Sequence, residues 1–314
     1  DAVCRANMSD AVFLRGIVEF SNVCANDCLY CGIRASNPEI RRYTMSAAEI
    51  LEVARRLPEA RQTTIVLQSG ESRSFGDKAL GELIQRIKRE TPLAVTLSVG
   101  NRTPDVYRYW RECGMDRYLL RFETSDPHIF ARLHPDCTLA ERLACLEALR
   151  TLGVQVGSGF MIGVPGETTT ILADNILLCR ELQLDMIGIG PFIVHPDTPM
   201  NGKRNAYHDD PAMFFRAMAV LRLFNPAAHI PATTAYDAVF PGEGRNWCLQ
   251  RGANVFMPNS TPARYRADYQ LYPGKPCLNE SAEQCAQCVI LRVQSLGRTI
   301  GHGPGHSRRP PATS

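Results

Sequence analysis

Short apolar runs alternate with stretches whose apolar residues recur at helical spacing almost to the end of the chain. Gly16–Ser21, Thr64–Gln68, Ala94–Val99, Tyr118–Glu123, Val154–Met161, Met186–Phe192, Ile230–Thr234 and Val255–Pro258 read as strands. Most are continuously apolar, as parallel strands buried on both faces should be. Between them, Ser46 and Glu49 form a capping box ahead of Ile50, Val53, Ala54 and Leu57. Asp77 is expected to cap a helix with Leu80, Leu83, Ile84 and Ile87 on one face. Thr138 and Glu141 make a second capping box before Leu143, Leu146 and Leu149, and Asp210-Pro211 opens a helix with Phe214, Met218 and Leu221 inward. Strands separated in this way by helices or long connections predict an α/β fold, a (βα)8 TIM-type barrel with a C-terminal extension. No Gly-x-Gly-x-x-Gly turn follows the first strand, which argues against a doubly wound sheet. Residues 1–300 are expected to form one domain. The Gly/Pro/Arg/Ser-rich residues 301–314 are expected to be a flexible tail.

Composition narrows the function. With 45% hydrophobic and 21% charged residues, the 314-residue chain is not a disordered one. A net charge of +3 gives no case for a broad nucleic-acid or membrane surface. No run of 18 apolar residues is present to span a membrane. The chain has twelve cysteines, and its first residues resemble no signal peptide. A reducing compartment, the cytoplasm, is therefore expected, with thiols serving as metal ligands or core residues. The start at Asp1 without Met suggests a trimmed chain.

The cysteine spacing carries the chemistry. Cys24, Cys28 and Cys31 follow the first strand as C-x3-C-x2-C. Three thiolates on one short loop suit three irons of a [4Fe–4S] cluster and leave the fourth iron open. Zinc is the rival, although a structural zinc site wants four ligands, usually as two close pairs. Further candidates sit at strand ends, where barrels gather their reactive groups. Strand two ends Gln68-Ser-Gly-Glu71, strand three near Thr96, and strand four carries Arg121 and Glu123 two residues apart on one face. Arg142, early in the next helix, is either a carboxylate clamp or an ordinary surface arginine.

The cysteine motif resembles the signature of radical S-adenosylmethionine (SAM) enzymes. That resemblance implies Cys24, Cys28 and Cys31 as catalytic cluster ligands, with SAM on the open iron. It also implies reductive cleavage of SAM to a 5′-deoxyadenosyl radical. Gln68-Ser-Gly-Glu71 resembles the superfamily's Gly-Gly-Glu motif, which receives the SAM amino group. Tyr30 resembles the aromatic residue that lines the adenine site.

Longer strings are more specific: Glu19-Phe-Ser-Asn-Val-Cys24, Asp116-Arg-Tyr-Leu-Leu-Arg-Phe-Glu-Thr124, Gly188-Ile-Gly-Pro-Phe192, His195-Pro-Asp-Thr-Pro199 and Tyr269-Gln-Leu-Tyr-Pro-Gly274. Together they resemble the HydE-type maturases of [FeFe]-hydrogenase from Gly16 to about Leu296. By this resemblance Tyr30, Gln68, Glu71, Glu123, Arg142, Met186 and Tyr269 contact SAM, while Thr96, Arg121, Thr233, Thr234, Met257 and Tyr272 line a substrate cavity below it. Phe122, where relatives carry a His, and Ser260, where a bulkier residue is usual, depart from the pattern. Cys277, Cys285 and Cys288 resemble an accessory [2Fe–2S] or [4Fe–4S] site that only some members have. The implied substrate is a small, anionic, sulfur-containing species, an organometallic iron–cysteine precursor of the hydrogenase cluster. The implied partners are the other maturases and an electron donor. A methylornithine synthase, the maturase-like protein of iron-only hydrogenase, or an iron–sulfur scaffold without SAM chemistry are the alternatives.

Overall fold

The computed structural model describes residues 1–276, 278, 280 and 282–307. A short helix α1 (Ala2–Met8) leads into the long strand β1 (Ala11–Ser21). The alternation continues with α2 (Ala47–Arg56), β2 (Thr64–Ser69), α3 (Asp77–Glu90), β3 (Ala94–Ser98), α4 (Pro104–Glu112), β4 (Arg117–Leu119), α5 (Pro127–Leu133), α6 (Leu139–Thr151) and β5 (Gln155–Ser158). Next come β6 (Met161–Ile162), α7 (Thr169–Glu181), β7 (Met186–Ile187), β8 (Gly190–Pro191), α8 (Ala212–Phe224), α9 (Thr234–Val239) and α10 (Gly244–Leu249). The chain ends in β9 (Val255–Phe256), α11 (Ala263–Arg266), α12 (Ala282–Ser295) and β10 (Thr299–Ile300).

The pairings run round a ring. Parallel ladders join β1, β2, β3, β4, β5 and β7 in order. Bridges from Met186 to His229 and from Pro231 to Val255, with β9 beside β1, close it. Residues 229–231 thus serve as the seventh strand and β9 as the eighth. The expected barrel is present, with β1 longer than its apolar run suggested and most strands from β3 onward shorter. Strand four keeps ladder geometry only to Leu119, and the run from Val154 splits, so that β6 pairs with β8 in a separate ribbon.

Alternation along each strand turns one set of its residues toward the surrounding helices. Leu14, Val18, Phe20, Ile65, Leu67, Val95 and Leu97 belong to the buried cluster that also holds Leu51, Ile84 and Trp110 of the helices. Both predicted capping boxes form, at Ser46–Glu49 and Thr138–Glu141. Asp77 does not cap: it sits in the first turn of α3 behind Gly76, and its carboxylate accepts from Arg102 Nε at 3.2 Å.

The expected flexible tail is fixed where it begins. β10 pairs with Ala11 and Val12 of β1, and the chain then crosses the N-terminal mouth of the barrel. The carbonyl of Pro304 accepts from Arg117 Nη2 at 2.7 Å, and that of Gly305 accepts from Arg15 Nη2 at 3.2 Å. Buried guanidiniums need acceptors, and the tail backbone supplies them. Residues 308–314 lie outside the described residues.

Candidate active site

The loop after β1 is shaped by its own polar anchors. Asn22 donates from Nδ2 to the carbonyls of Arg41 and Asp268 and accepts from Tyr43 N–H at 2.7 Å. The Arg42 guanidinium donates to the carbonyls of Asn22, Ile33 and Arg34. Cys24, Cys28 and Cys31 lie between these two anchors. Gly70 is dictated by this packing, because a Cβ there would stand 2.4 Å from the Val23 carbonyl and 2.8 Å from Cys24 Cβ.

Burial pushes all three thiols up: Cys24 moderately, Cys31 to about 12, and Cys28 furthest, with its neighbouring cysteines adding to the effect. They are poor thiolates until a positive centre binds. Among the described residues, no group of three or more His, Cys, Asp or Glu side chains is gathered round a single point in the manner of one metal ion.

The loop opens on a cavity of about 320 Å³ at the C-terminal end of the barrel, small but within the range of ligand sites, roughly 300–1,000 Å³. Cys24, Cys28, Tyr30 and Cys31 line its mouth. Gln68, Glu71, Arg121, Glu123, Arg142 and Tyr269 line its wall, and Thr233, Thr234, Met257 and Tyr272 also border it. Parallel register explains the layer: Glu19, Gln68 and Ser98 are level across β1, β2 and β3.

Several of these side chains are pre-set by one another. Gln68 Nε2 donates to Tyr269 Oη at 3.1 Å. Glu71 Oε2 accepts from Asn101 N–H at 2.9 Å. Thr234 Oγ1 and Tyr272 Oη share a 2.5 Å hydrogen bond, and Thr233 Oγ1 donates to the Ile189 carbonyl at 2.9 Å. The Thr138 capping box sets the start of α6 and so aligns Arg142 with Leu146 and Leu149 on its buried face. Arg121 Nε, Arg142 Nε and Glu123 Oε2 are buried without a hydrogen-bond partner. Unsatisfied donors and acceptors on one wall suit a zwitterion, with Glu123 for an ammonium group and Arg142 for a carboxylate, and leave Arg121 for a second anion.

Two expected residues lie elsewhere. Met186 is absent from the cavity lining; its Sδ accepts from Arg15 Nη1 at 2.9 Å on the tail side of the barrel. It stands level with Gly157, which pairs with Leu119 in β4, below the Arg121 layer. Thr96 is likewise too deep: it pairs level with Val66 and Arg117, and Ser98, two residues on, reaches the cavity instead. Of the accessory cysteines, Cys285 is buried and borders the cavity, Cys288 is exposed, and Cys277 lies outside the described residues.

Three polar pieces escaped the sequence reading. Lys275 pairs with Glu19 inside the cavity wall, and Arg245, which also borders the cavity, pairs with Asp237 at 2.6 Å. His134, 4% exposed, touches Cys28 and Tyr30 and is held neutral by burial, its pKa lowered to about 3. The only signal for them was polarity at positions with no obvious solvent face.

The family model described as "Radical SAM superfamily" matches residues 18–179, more than half the chain. The chain belongs to the radical SAM superfamily. It is 43% identical over 309 residues to the [FeFe] hydrogenase maturase subunit HydE of Thermotoga maritima, covering 98% of this chain and 87% of that protein. This places it in the HydE family as a radical SAM enzyme. The superfamily implies a [4Fe–4S] cluster and SAM. The fold matches methylornithine synthase with a TM-score of 0.82 at 24% identity, covering 96% of this chain and 86% of that one. It also matches the maturase HydG from Carboxydothermus hydrogenoformans, with a TM-score of 0.77 at 20% identity, 94% and 68% covered. No helix among the described residues is long and apolar enough to cross a membrane.

Proposed function

We propose that the chain cleaves SAM at a [4Fe–4S] cluster held by Cys24, Cys28 and Cys31, and acts in the maturation of [FeFe]-hydrogenase. The observation that carries this is the meeting of three loop thiols with unsatisfied Arg121, Glu123 and Arg142 atoms on one cavity, in a chain so similar to a maturase over nearly all its length. When bound, the cluster supplies the electron that breaks a carbon–sulfur bond of SAM. The residues do the rest. Glu123 and Glu71 receive the ammonium group, and Arg142 receives the carboxylate. Tyr30, Gln68 and Tyr269 fix the remaining parts and exclude water. Below them Arg121, with the Thr234–Tyr272 hydroxyl pair, holds a small anionic, sulfur-containing substrate, the organometallic iron–cysteine precursor.

The working compartment in this reading is the cytoplasm, with the other maturases and an electron donor as partners. A second cluster at Cys277, Cys285 and Cys288 is a separate proposal resting on their spacing. Iron counting on a variant with all three changed to Ala tests it, and unchanged iron would overturn it.

The main test is anaerobic. Reconstituted protein should give a [4Fe–4S] signal that SAM perturbs, and Cys28→Ser should abolish SAM cleavage. The wild-type chain should restore [FeFe]-hydrogenase activity in a strain lacking its own maturase. Normal SAM cleavage without that restoration would overturn the maturation reading. Full cleavage by the Cys28→Ser variant would overturn the site.

A further inference from the structure

We infer that His134 is a positioning residue that donates an Nδ1–H hydrogen bond to the thiolate of Cys28 and so sets the potential of the cluster there. The inference rests on the iron–sulfur reading of Cys24, Cys28 and Cys31.

The ring is held on every side. His134 closes α5, its N–H bonded to the Phe130 carbonyl at 2.9 Å. It stacks on Phe130 with centroids 4.4 Å apart and planes at 17°, and it meets Tyr30 edge-on at 5.4 Å. Each nitrogen has one partner: Nδ1 lies 3.2 Å from Cys28 Sγ and Nε2 lies 3.4 Å from Tyr30 Oη. The other two cysteines are met by backbone, Cys24 by Asn26 and Glu71 and Cys31 by Ile33.

The chemistry of the two partners decides the polarity. A Cys28 thiol can donate to Nδ1, but a thiolate bound to iron carries no proton and only accepts. With the cluster in place, the contact therefore requires the proton on Nδ1. The Tyr30 hydroxyl then donates to Nε2, so Tyr30 selects the tautomer. A hydrogen bond to a cluster sulfur stabilises the reduced, more negative state and raises the potential.

The test compares midpoint potentials of anaerobically reconstituted wild type, His134→Phe, His134→Gln and Tyr30→Phe, by redox titration read by electron paramagnetic resonance. Phe keeps the stacking on Phe130 and removes the donor. The reduced-to-oxidised ratio of that variant at a fixed potential should fall about tenfold, which for one electron is a shift of about 59 mV to the negative side. Gln, with an amide donor, should lie nearer the wild type. Tyr30→Phe leaves the imidazole in place but frees its tautomer, and should shift the potential in the same direction by less. An intact cluster at the wild-type potential in His134→Phe would overturn the inference alone. If that variant holds no cluster, an unshifted Tyr30→Phe would overturn it. A wild-type chain that forms no [4Fe–4S] cluster would overturn the site reading as well.

Discussion

Arg121 Nη2 and Glu123 Oε2 stand 2.9 Å apart at the top of the barrel, yet neither atom makes an aligned hydrogen bond. The two charges hold each other in place while both keep bonding capacity for a guest. Each such group is worth more to a ligand than to the other, because a charge-assisted hydrogen bond in a shielded site is strong only when it is directed.

Arg121→Met removes one of these hands. The cluster signal and SAM affinity should persist, since the cysteine loop and Arg142 are untouched. Substrate binding should weaken about ten- to a hundredfold, corresponding to the ~1.5–3 kcal/mol of a charged hydrogen bond. Maturation assays over a range of substrate concentration check this, and unchanged apparent affinity would count against Arg121 as the substrate anchor.

Glu123 is also strained, at φ 65°. The left-handed region costs a residue with a Cβ about 1–2 kcal/mol and costs Gly little. Glu123→Gly and Glu123→Ala both delete the carboxylate and differ in this strain. Both should lose SAM binding, and the Gly variant should be the more stable by about 1 kcal/mol. Equal denaturation midpoints would show that the backbone is not strained there.

Much of this was legible in the sequence because it is written locally. Strands betray themselves by apolar runs, the two capping boxes by a three-residue spacing, and the cysteine loop by C-x3-C-x2-C. Register across strands is not local. Thr96 and Met186 belong to strands that do face the site, but parallel pairing sets both below it, and only the stagger between neighbours reveals this. His134 was hidden for the opposite reason: 106 residues separate it from Cys28, and nothing about a His after a short helix marks it as a thiol's neighbour. Residues 301–307 read as flexible by composition because what fixes them comes from distant partners, Arg15 in β1 and Arg117 in β4.

Acid should weaken the fold through the histidines. His229 is buried, with Nδ1 near Asn254 Nδ2 at 3.2 Å and Nε2 near the His306 carbonyl at 3.4 Å. Burial, then Arg15, drive its pKa well down, and burial drives that of His134 to about 3. Unfolded, both would titrate near 6.5. Below that pH the unfolded chain binds protons that the folded one refuses, so the contribution of these two histidines to stability falls as pH falls from about 6.5 and is level above it. His229→Gln should reduce the slope by up to about 1.4 kcal/mol per pH unit. Denaturant midpoints of the metal-free protein from pH 7 to pH 5 measure it. A slope identical to wild type would mean that His229 charges freely in the folded state.

The far end of the barrel offers the cleanest separation of stability from function. Arg15 and Arg117 are 1% and 3% exposed, and their guanidiniums are satisfied in part by the carbonyls of Gly305 and Pro304 and by His306 Nδ1 at 3.0 Å from Arg117. A chain ending at Ile300 strips these acceptors away and leaves buried cations short of partners, at a cost of about 1–3 kcal/mol for each donor orphaned. Its melting temperature should drop while SAM affinity holds, because the cysteine loop lies at the opposite mouth. Arg15→Met should soften the loss: with no charge left to satisfy, the same truncation should cost less than in the wild type. If truncation costs as much with Met at position 15 as with Arg, the tail contributes by packing rather than by closing off the charges beneath the barrel.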